Sequence, residues 1–328
     1  MLVKVSRREF LKRSLTAGVA GAMVLSQGPQ QANAASGEQG YGTVIDLTKC
    51  TGCGVCVDAC RNANQHKFPE PKGPIPVNWP TGKFEDWSKK RSIKDRLTPY
   101  NWTYIQKVKV KHQGQEVEIS IPRRCMHCDN PPCVNLCPFG DNHKTPEGAV
   151  VIDENGCFGG AKCQAVCPWH IPQRQGGVGI YMKILPGLIG GGVMYKCDLC
   201  LDRVKEGKQP ACVEACPHGA ISFGPKEEMR KLAQQRAEEI GGYIYGEKEN
   251  GGTSTFYVSA VPFEEINKAL IEQGVADPEK PGKPAMPVKV KNVSDDPKEA
   301  MTSIAIAPVA GLVAAGITAY KTLTREGK

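Results

Sequence analysis

The chain has 328 residues, 23 % of them charged and only 6 % aromatic, with 36 glycines and 25 prolines. That is enough for one large or two small domains, rich in loops and thin in aromatic core. The net charge of +8 invites a nucleic-acid reading, but five basic residues (Lys4, Arg7, Arg8, Lys12, Arg13) against one acid (Glu9) put +4 of it in residues 1–34.

Those 34 residues read as an export signal. Ser6-Arg7-Arg8-Glu9-Phe10-Leu11-Lys12 has the twin-arginine pattern, an apolar stretch runs from Leu15 to Leu25, and Ala32-Asn33-Ala34 is an A-x-A cleavage site. This route exports proteins already folded around their cofactors. The expected location is therefore the periplasmic face of the bacterial inner membrane, with residues 1–34 removed.

From residue 41 onward, cysteines organise the chain. The first group is Cys50, Cys53, Cys56 and Cys60, spaced C-x2-C-x2-C-x3-C and preceded by a predicted strand at Val44-Ile45-Asp46. Residues 61–124 are an insertion in which Tyr104–Val110 and Glu116–Ile121 predict a hairpin around Gly114. The second group is Cys125, Cys128, Cys133 and Cys137. After a short strand at 150–153 comes the third, Cys157, Cys163 and Cys167. A Gly-rich insertion, 168–196, leads to the fourth, Cys197, Cys200, Cys212 and Cys216, followed by a strand over 220–223.

Beyond the cysteines, Pro225–Ile240 predicts a helix with Met229, Leu232, Ala233 and Ile240 on one face, stopped by Gly241. Phe256–Val261 predicts a strand, and Phe263–Gln273 a helix opened by Pro262 and closed by Gly274. Residues 275–302, with prolines 278, 281, 284, 287 and 297, read as a stiff extended tether. Ser303–Tyr320 is uncharged and, as a helix of about 27 Å, is long enough for a membrane span. The basic tail 321–328 places its end in the cytoplasm. Ala307, Gly311, Ala315 and Ala319 form a stripe of small residues that suits docking on an integral membrane partner.

The C-x2-C-x2-C-x3-C run, followed by Pro in the other three groups (Pro138, Pro168, Pro217), is the ligand pattern of bacterial iron–sulfur clusters. Three thiolates wrap one cluster, and the fourth points away to a second. A disulfide framework suits an exported chain, but such frameworks belong to small domains and fifteen cysteines is an odd number. The second and fourth groups alone match zinc sites, yet four cysteines in 11 residues are too dense for a zinc ribbon. Gly160 stands where the third group's second cysteine belongs. A missing thiolate favours a 3Fe–4S cluster there, the alternative being a cubane whose last iron takes water or a distant side chain. Clusters with their thiolates are net anionic, so four of them more than cancel the remaining +4 and exclude the nucleic-acid reading.

The six histidines (His66, His112, His127, His143, His170, His218) are scattered, although His127 lies inside a cysteine loop where a hydrogen bond to sulfur would tune potential. No nucleophile–base pair, phosphate loop or dinucleotide fingerprint appears. Tyr245-Gly246-Glu247-Lys248 with Gly251-Gly252 has too few glycines for Walker A. Arg123, Arg124, Lys162, Lys196 and Arg203 beside the cysteines either temper cluster charge or are solvated surface.

Over residues 41–224 the sequence resembles the four-cluster iron–sulfur subunits of respiratory complexes: formate dehydrogenases, nitrate and polysulfide reductases, and membrane-bound NiFe-hydrogenases. Cys125-Met126-His127-Cys128 with Pro132-Cys133 and Cys137-Pro138 carries the signature. The twin-arginine signal and C-terminal span look most like the hydrogenase-2-type subunit. The resemblance implies an α+β fold of two ferredoxin-like modules across 41–274, plus one transmembrane helix. It implies crossed ligation: Cys50, Cys53, Cys56 with Cys216; Cys60 with Cys197, Cys200, Cys212; Cys125, Cys128, Cys133 with Cys167, each a 4Fe–4S site. Cys137, Cys157 and Cys163 would hold the 3Fe–4S site, and Gly160 is similar there to the nitrate-reductase type. The function implied is electron transfer between a periplasmic catalytic subunit (hydrogenase, molybdopterin oxidoreductase or cytochrome) and a membrane quinone- or haem-binding subunit. The chain itself would not be an enzyme. A tethered ferredoxin-like carrier without a stable partner is the alternative.

Overall fold

The computed structural model describes residues 40–72, 75, 85–180, 182 and 192–296. Strand β1 (Tyr41–Asp46) sends Val44 to one face and Ile45 to the other, and both are buried. The strand is thus covered on two sides, and its burial runs unbroken from Gly42 to Asp46. Gly54, at φ 80°, then opens helix α1 (Val55–Asn64), a conformation that glycine adopts without a Cβ clash.

The expected hairpin is present as β2 (Tyr104–His112) and β3 (Gln115–Arg123). Its turn residues Gln113 and Gly114 both have positive φ, the backbone that matches strand twist. Along β2, Tyr104, Val108 and Val110 are buried while Lys107 and Lys109 are exposed, a period of two. Two small antiparallel pairs follow: β4 (Asn142–Lys144) with β5 (Val150–Ile152), and β6 (Gln173–Gln175) with β7 (Val193–Tyr195). The last pair closes the Gly-rich insertion, where Gln173-Arg174-Gln175 carries no apolar strand signal.

Short helices lie among the later cysteines: α2 (Pro132–Asn135), α3 (Lys162–Ala165), α4 (Leu201–Lys205, just after Cys200) and α5 (Ala211–Glu214). The chain then forms β8 (Ile221–Pro225), α6 (Lys226–Glu239), β9 (Tyr243–Tyr245), β10 (Thr255–Ser259) and α7 (Phe263–Glu272). The main sheet has the order β8-β1-β10-β9. β1 runs antiparallel to β8, with Thr43 opposite Phe223, and parallel to β10, with Thr43 opposite Thr255.

One sheet face, Val44 with Phe256 and Val258, packs on Met229, Ala233 and Ala237 of α6. Each large apolar side chain buried there contributes about 1.5–3 kcal/mol. The buried stripe of α6 therefore runs i, i+4, i+8. Leu232, expected on that face, lies 38 % exposed at its edge. The opposite face, with Ile45 and Tyr257, joins the core that contains the cysteines.

The reading of 275–302 as a free tether needs correction over its described part. Ala276, Ala285 and Met286 are buried. Gln106 donates to Pro284 O at 2.9 Å, Arg123 to Ala285 O at 2.8 Å and Tyr245 Oη to Pro287 O at 2.9 Å. Prolines remove donors but leave carbonyls, and buried donors of the body capture those carbonyls. The segment is a strap laid across the core.

The export signal (1–34), the apolar stretch 303–320 with its small-residue stripe at Ala307, Gly311, Ala315 and Ala319, and the tail 321–328 lie outside the described residues. Among the described residues, no helix is long and apolar enough to cross a membrane.

Candidate functional site

All fifteen cysteines are free; no disulfide joins them. The fold gathers them into four places, each drawing on distant stretches of chain. Cys50, Cys53 and Cys56 line a hollow together with Cys216. The loop bends around it through Gly52 and Gly54, both at positive φ. A Cβ on Gly52 would press on Ser120, so the loop's close approach to β3 needs glycine there. The Ala220 N–H donates to Cys216 Sγ at 3.3 Å.

Cys60 faces Cys197, Cys200 and Cys212. Burial first, then the thiols of Cys197, Cys212 and Cys200, push the Cys60 thiol well above its ordinary pKa. Helix α1 packs on α5 at this point. Asn64, one helical turn beyond Cys60, directs Nδ2 at Cys60 Sγ (3.8 Å) and Cys200 Sγ (3.6 Å).

Cys125, Cys128, Cys133 and Cys167 line a second hollow, walled also by Trp169, Lys196 and Asn250. Burial, then Cys125 and Cys167, raise the Cys128 thiol. Cys137, Cys157 and Cys163 form the fourth place. Burial, with Cys157, Cys137 and Cys167 adding repulsion, pushes Cys163 up to about 12. Gly160 is exposed, and a Cβ built on it would meet nothing within 4 Å.

The four places adjoin in sequence. Cys56 of the first is raised to about 12 by burial and then by Cys212 of the second. Cys197 of the second is raised to about 12 by burial, against Arg124, with Cys125 of the third adding to it. Cys163 of the fourth feels Cys167 of the third.

The donor set fits multi-iron clusters better than single ions. With Zn–S of about 2.3 Å, a zinc ion draws its sulfurs to one point. Among the described residues, no three His, Cys, Asp or Glu side chains converge in that way; the sulfurs instead stand around hollows. Burial and mutual repulsion keep these thiols protonated, and a bound cluster would deprotonate them on coordination.

Buried cations meet these sulfurs. Arg124 and Lys196 are 2 % and 6 % exposed. Burial opposes the Arg124 charge, but Cys212, Cys197 and Cys200 hold it protonated. Arg124 reaches Cys212 Sγ at 3.9 Å and bonds Thr43 Oγ1. Burial likewise opposes the Lys196 charge, and Cys125, Cys133 and Cys197 sustain it. Arg123 is buried against Ala285 O. Lys162 and Arg203 are half-buried instead, and Arg203 pairs with Glu214. The two readings of the flanking cations thus divide by residue.

His127 is fully buried, with Nε2 3.7 Å from Cys197 Sγ. The other histidines do not gather. His112 bonds Glu265 at 2.9 Å and His170 its neighbour Gln164 O at 3.1 Å. Two sulfur contacts were not anticipated. Asn64 stands four residues after Cys60 on one helix face, a spacing that could have revealed it. Asn250, whose Nδ2 lies 3.3 Å from Cys128 Sγ, is 122 residues away in sequence, and no local pattern marks it.

Two models described as 4Fe-4S dicluster domain match residues 49–141 and, in a second model, 117–185 and 189–226. The chain is 32 % identical over 268 residues to a protein of Nitratidesulfovibrio vulgaris, covering 79 % of this chain but only 65 % of that relative's length. It is 30 % identical over 304 residues to the hydrogenase-2 operon protein HybA of Escherichia coli O157:H7, covering 80 % of this chain and 83 % of the relative. To the iron–sulfur subunit of the nitrate-inducible formate dehydrogenase of Escherichia coli K12 it is 31 % identical over 222 residues, 66 % of each chain. Dicluster matches spanning all four cysteine groups, relatives of this kind and sulfur-lined hollows agree that the chain belongs to the iron–sulfur electron-transfer subunits of respiratory oxidoreductases and is not the catalytic subunit.

Proposed function

We propose that this chain relays electrons through three 4Fe–4S clusters and one 3Fe–4S cluster, between a periplasmic catalytic subunit and a membrane quinone- or haem-binding subunit. The ligand sets are Cys50, Cys53, Cys56 and Cys216; Cys60, Cys197, Cys200 and Cys212; Cys125, Cys128, Cys133 and Cys167; and Cys137, Cys157 and Cys163. Bound clusters take up and release single electrons; the protein's own residues hold them in line, dry and charge-balanced. The observation that carries this reading is that sulfurs of separate groups meet in successive places: Cys216 with Cys50, Cys53 and Cys56, then Cys60 and Cys200 on either side of Asn64, then Cys167 with Cys125, Cys128 and Cys133. A row of sites is the arrangement a relay needs, and a single-site enzyme does not.

The twin-arginine pattern and the apolar stretch 303–320 support a periplasmic body with one C-terminal span. The exposed Gly160 supports a three-thiolate fourth site at one end of the row. That end faces the membrane partner in this reading.

Anaerobic purification of the full-length protein tests it. About 15 irons and about 16 acid-labile sulfides per chain are expected for three cubanes and one three-iron cluster, since each cluster holds four sulfides. The oxidised sample should show a three-iron EPR signal. Co-purification with a catalytic and a membrane subunit is expected. Little iron, or a fully loaded protein recovered alone, would overturn the relay in favour of another metal or a free carrier.

A further inference from the structure

Asn250 is a residue whose placement serves no fold requirement that a glycine would not meet. It sits at φ 55°, in the left-handed region. Asparagine tolerates this region better than most side chains. It is 0 % exposed. Its backbone is held from two sides: its N–H donates to Val290 O of the strap at 2.8 Å, and its carbonyl accepts from Asn292 Nδ2 at 3.1 Å. The same loop is pinned to the second cysteine group. The Ser254 N–H reaches Met126 O and His127 O, and the Asp129 N–H reaches Gly252 O at 3.0 Å.

The side chain is thereby aimed into the hollow of Cys125, Cys128, Cys133 and Cys167. Nδ2 donates to Cys128 Sγ at 3.3 Å, while Oδ1 is buried without a partner. Leaving a buried carbonyl oxygen unpaired is costly, so this amide is oriented by something else. The reverse orientation would set Oδ1 against the sulfur, acceptor facing acceptor.

We infer that Asn250 is a positioning residue that raises the reduction potential of the cluster held by Cys125, Cys128, Cys133 and Cys167, by donating its amide N–H to Cys128. The inference rests on the ligand assignment proposed above. Reduction adds negative charge to cluster and thiolates, and an N–H dipole aimed at a sulfur favours the more negative state. The strap acts through Asn250, because Val290 and Asn292 fix the loop that presents the amide.

The experiment is an EPR-monitored redox titration of the full-length holoprotein, with iron and sulfide content measured on every sample. Asn250→Ala should shift the reduction equilibrium of one cubane about tenfold toward the oxidised form, 59 mV for a one-electron couple, and leave the other clusters in place. Asn250→Asp, nearly isosteric but without the amide N–H, should shift it in the same direction. It also carries the test if the alanine variant loses iron. Asn292→Ala loosens the same loop without touching sulfur and should shift the equilibrium less. Unchanged potentials in both Asn250 variants overturn the inference, as does an equal shift in Asn292→Ala. Cys128→Ala, which offers no donor atom, reports separately on the ligand assignment: if all cubane signals survive in that variant, the assignment falls and this inference with it.

Discussion

His127 accepts a hydrogen bond from the Val150 N–H at 2.9 Å through Nδ1. Because that N–H can only donate, Nδ1 carries the lone pair and the ring proton sits on Nε2, which faces Cys197 Sγ. One imidazole thus ties the second cysteine group to the fourth. His127→Phe fills similar space but leaves the Val150 N–H unpaired and the sulfur without its donor. Stability to denaturant should fall by about 1–3 kcal/mol, and the potential of the cluster that shares Cys197 should drop. If the potential holds while stability falls, the ring serves packing alone.

Adjacent glycines at the third group should respond in opposite ways. Gly159 has φ 64°, and a Cβ there would run into the Gly192 backbone. Its N–H donates to Cys157 Sγ at 3.4 Å. Gly159→Ala should lower the thermal midpoint and iron content together. Gly160→Cys meets no atom within 4 Å and needs no positive φ. That variant should fold normally, gain one iron and lose the three-iron EPR signal. Retention of that signal in a variant with an intact new thiol would show that position 160 does not face the cluster.

Tyr245 makes the third prediction. Its hydroxyl accepts from Trp169 Nε1 at 2.7 Å and donates to Pro287 O at 2.9 Å. Tyr245→Phe removes both bonds and leaves a buried indole N–H unpaired beside the Cys167 hollow. A loss of about 1–3 kcal/mol in chemical denaturation is expected. Limited proteolysis should also cut the strap near residues 287–290 faster, since this hydroxyl holds the strap down. Unaltered cleavage would mean that Arg123 and Gln106 suffice.

Asp46 sets an acid-dependent term. Burial works against its carboxylate, but donors from Thr48 and Arg236 outweigh it and hold the pKa below the ordinary 3.8. Thr48 N–H and Arg236 Nε lie at 2.9 and 2.8 Å. A carboxyl with a depressed folded pKa adds stability that is present above the unfolded value and lost as pH falls through the folded one. Asp46→Asn should therefore cost about 2 kcal/mol at neutral pH. The difference from wild type should shrink below about pH 4. A difference that is constant with pH would locate the effect in hydrogen bonding rather than charge.

Much of this was legible because the signals are local. Val44-Ile45-Asp46, the 104–121 hairpin and the helices after Pro225 and Pro262 follow from period and capping within a dozen residues. The cysteine groups announce themselves by spacing. What stayed hidden depends on pairs far apart. Gln173–Gln175 forms a strand only because Val193–Tyr195 lies beside it. Ala285 and Pro287 read as tether because nothing nearby shows that Arg123 and Tyr245 will claim their carbonyls. Asn250 touches sulfur only through the folded loop. For Arg124 and Lys196 the sequence left cluster partner and solvated surface both open, until burial beside thiols distinguished them from Arg203.

The walls of the first hollow are supplied by residues 50–56, Ile105, Pro122 and 216–221. A nascent chain still on the ribosome at residue 200 owns three of those four thiols and no enclosure around them. That first site closes only once residues 216–221 have been made, whereas every thiol of the third and fourth sites is present by Cys167. The last part of the body to emerge, Val290 and Asn292, latches the loop over Cys128.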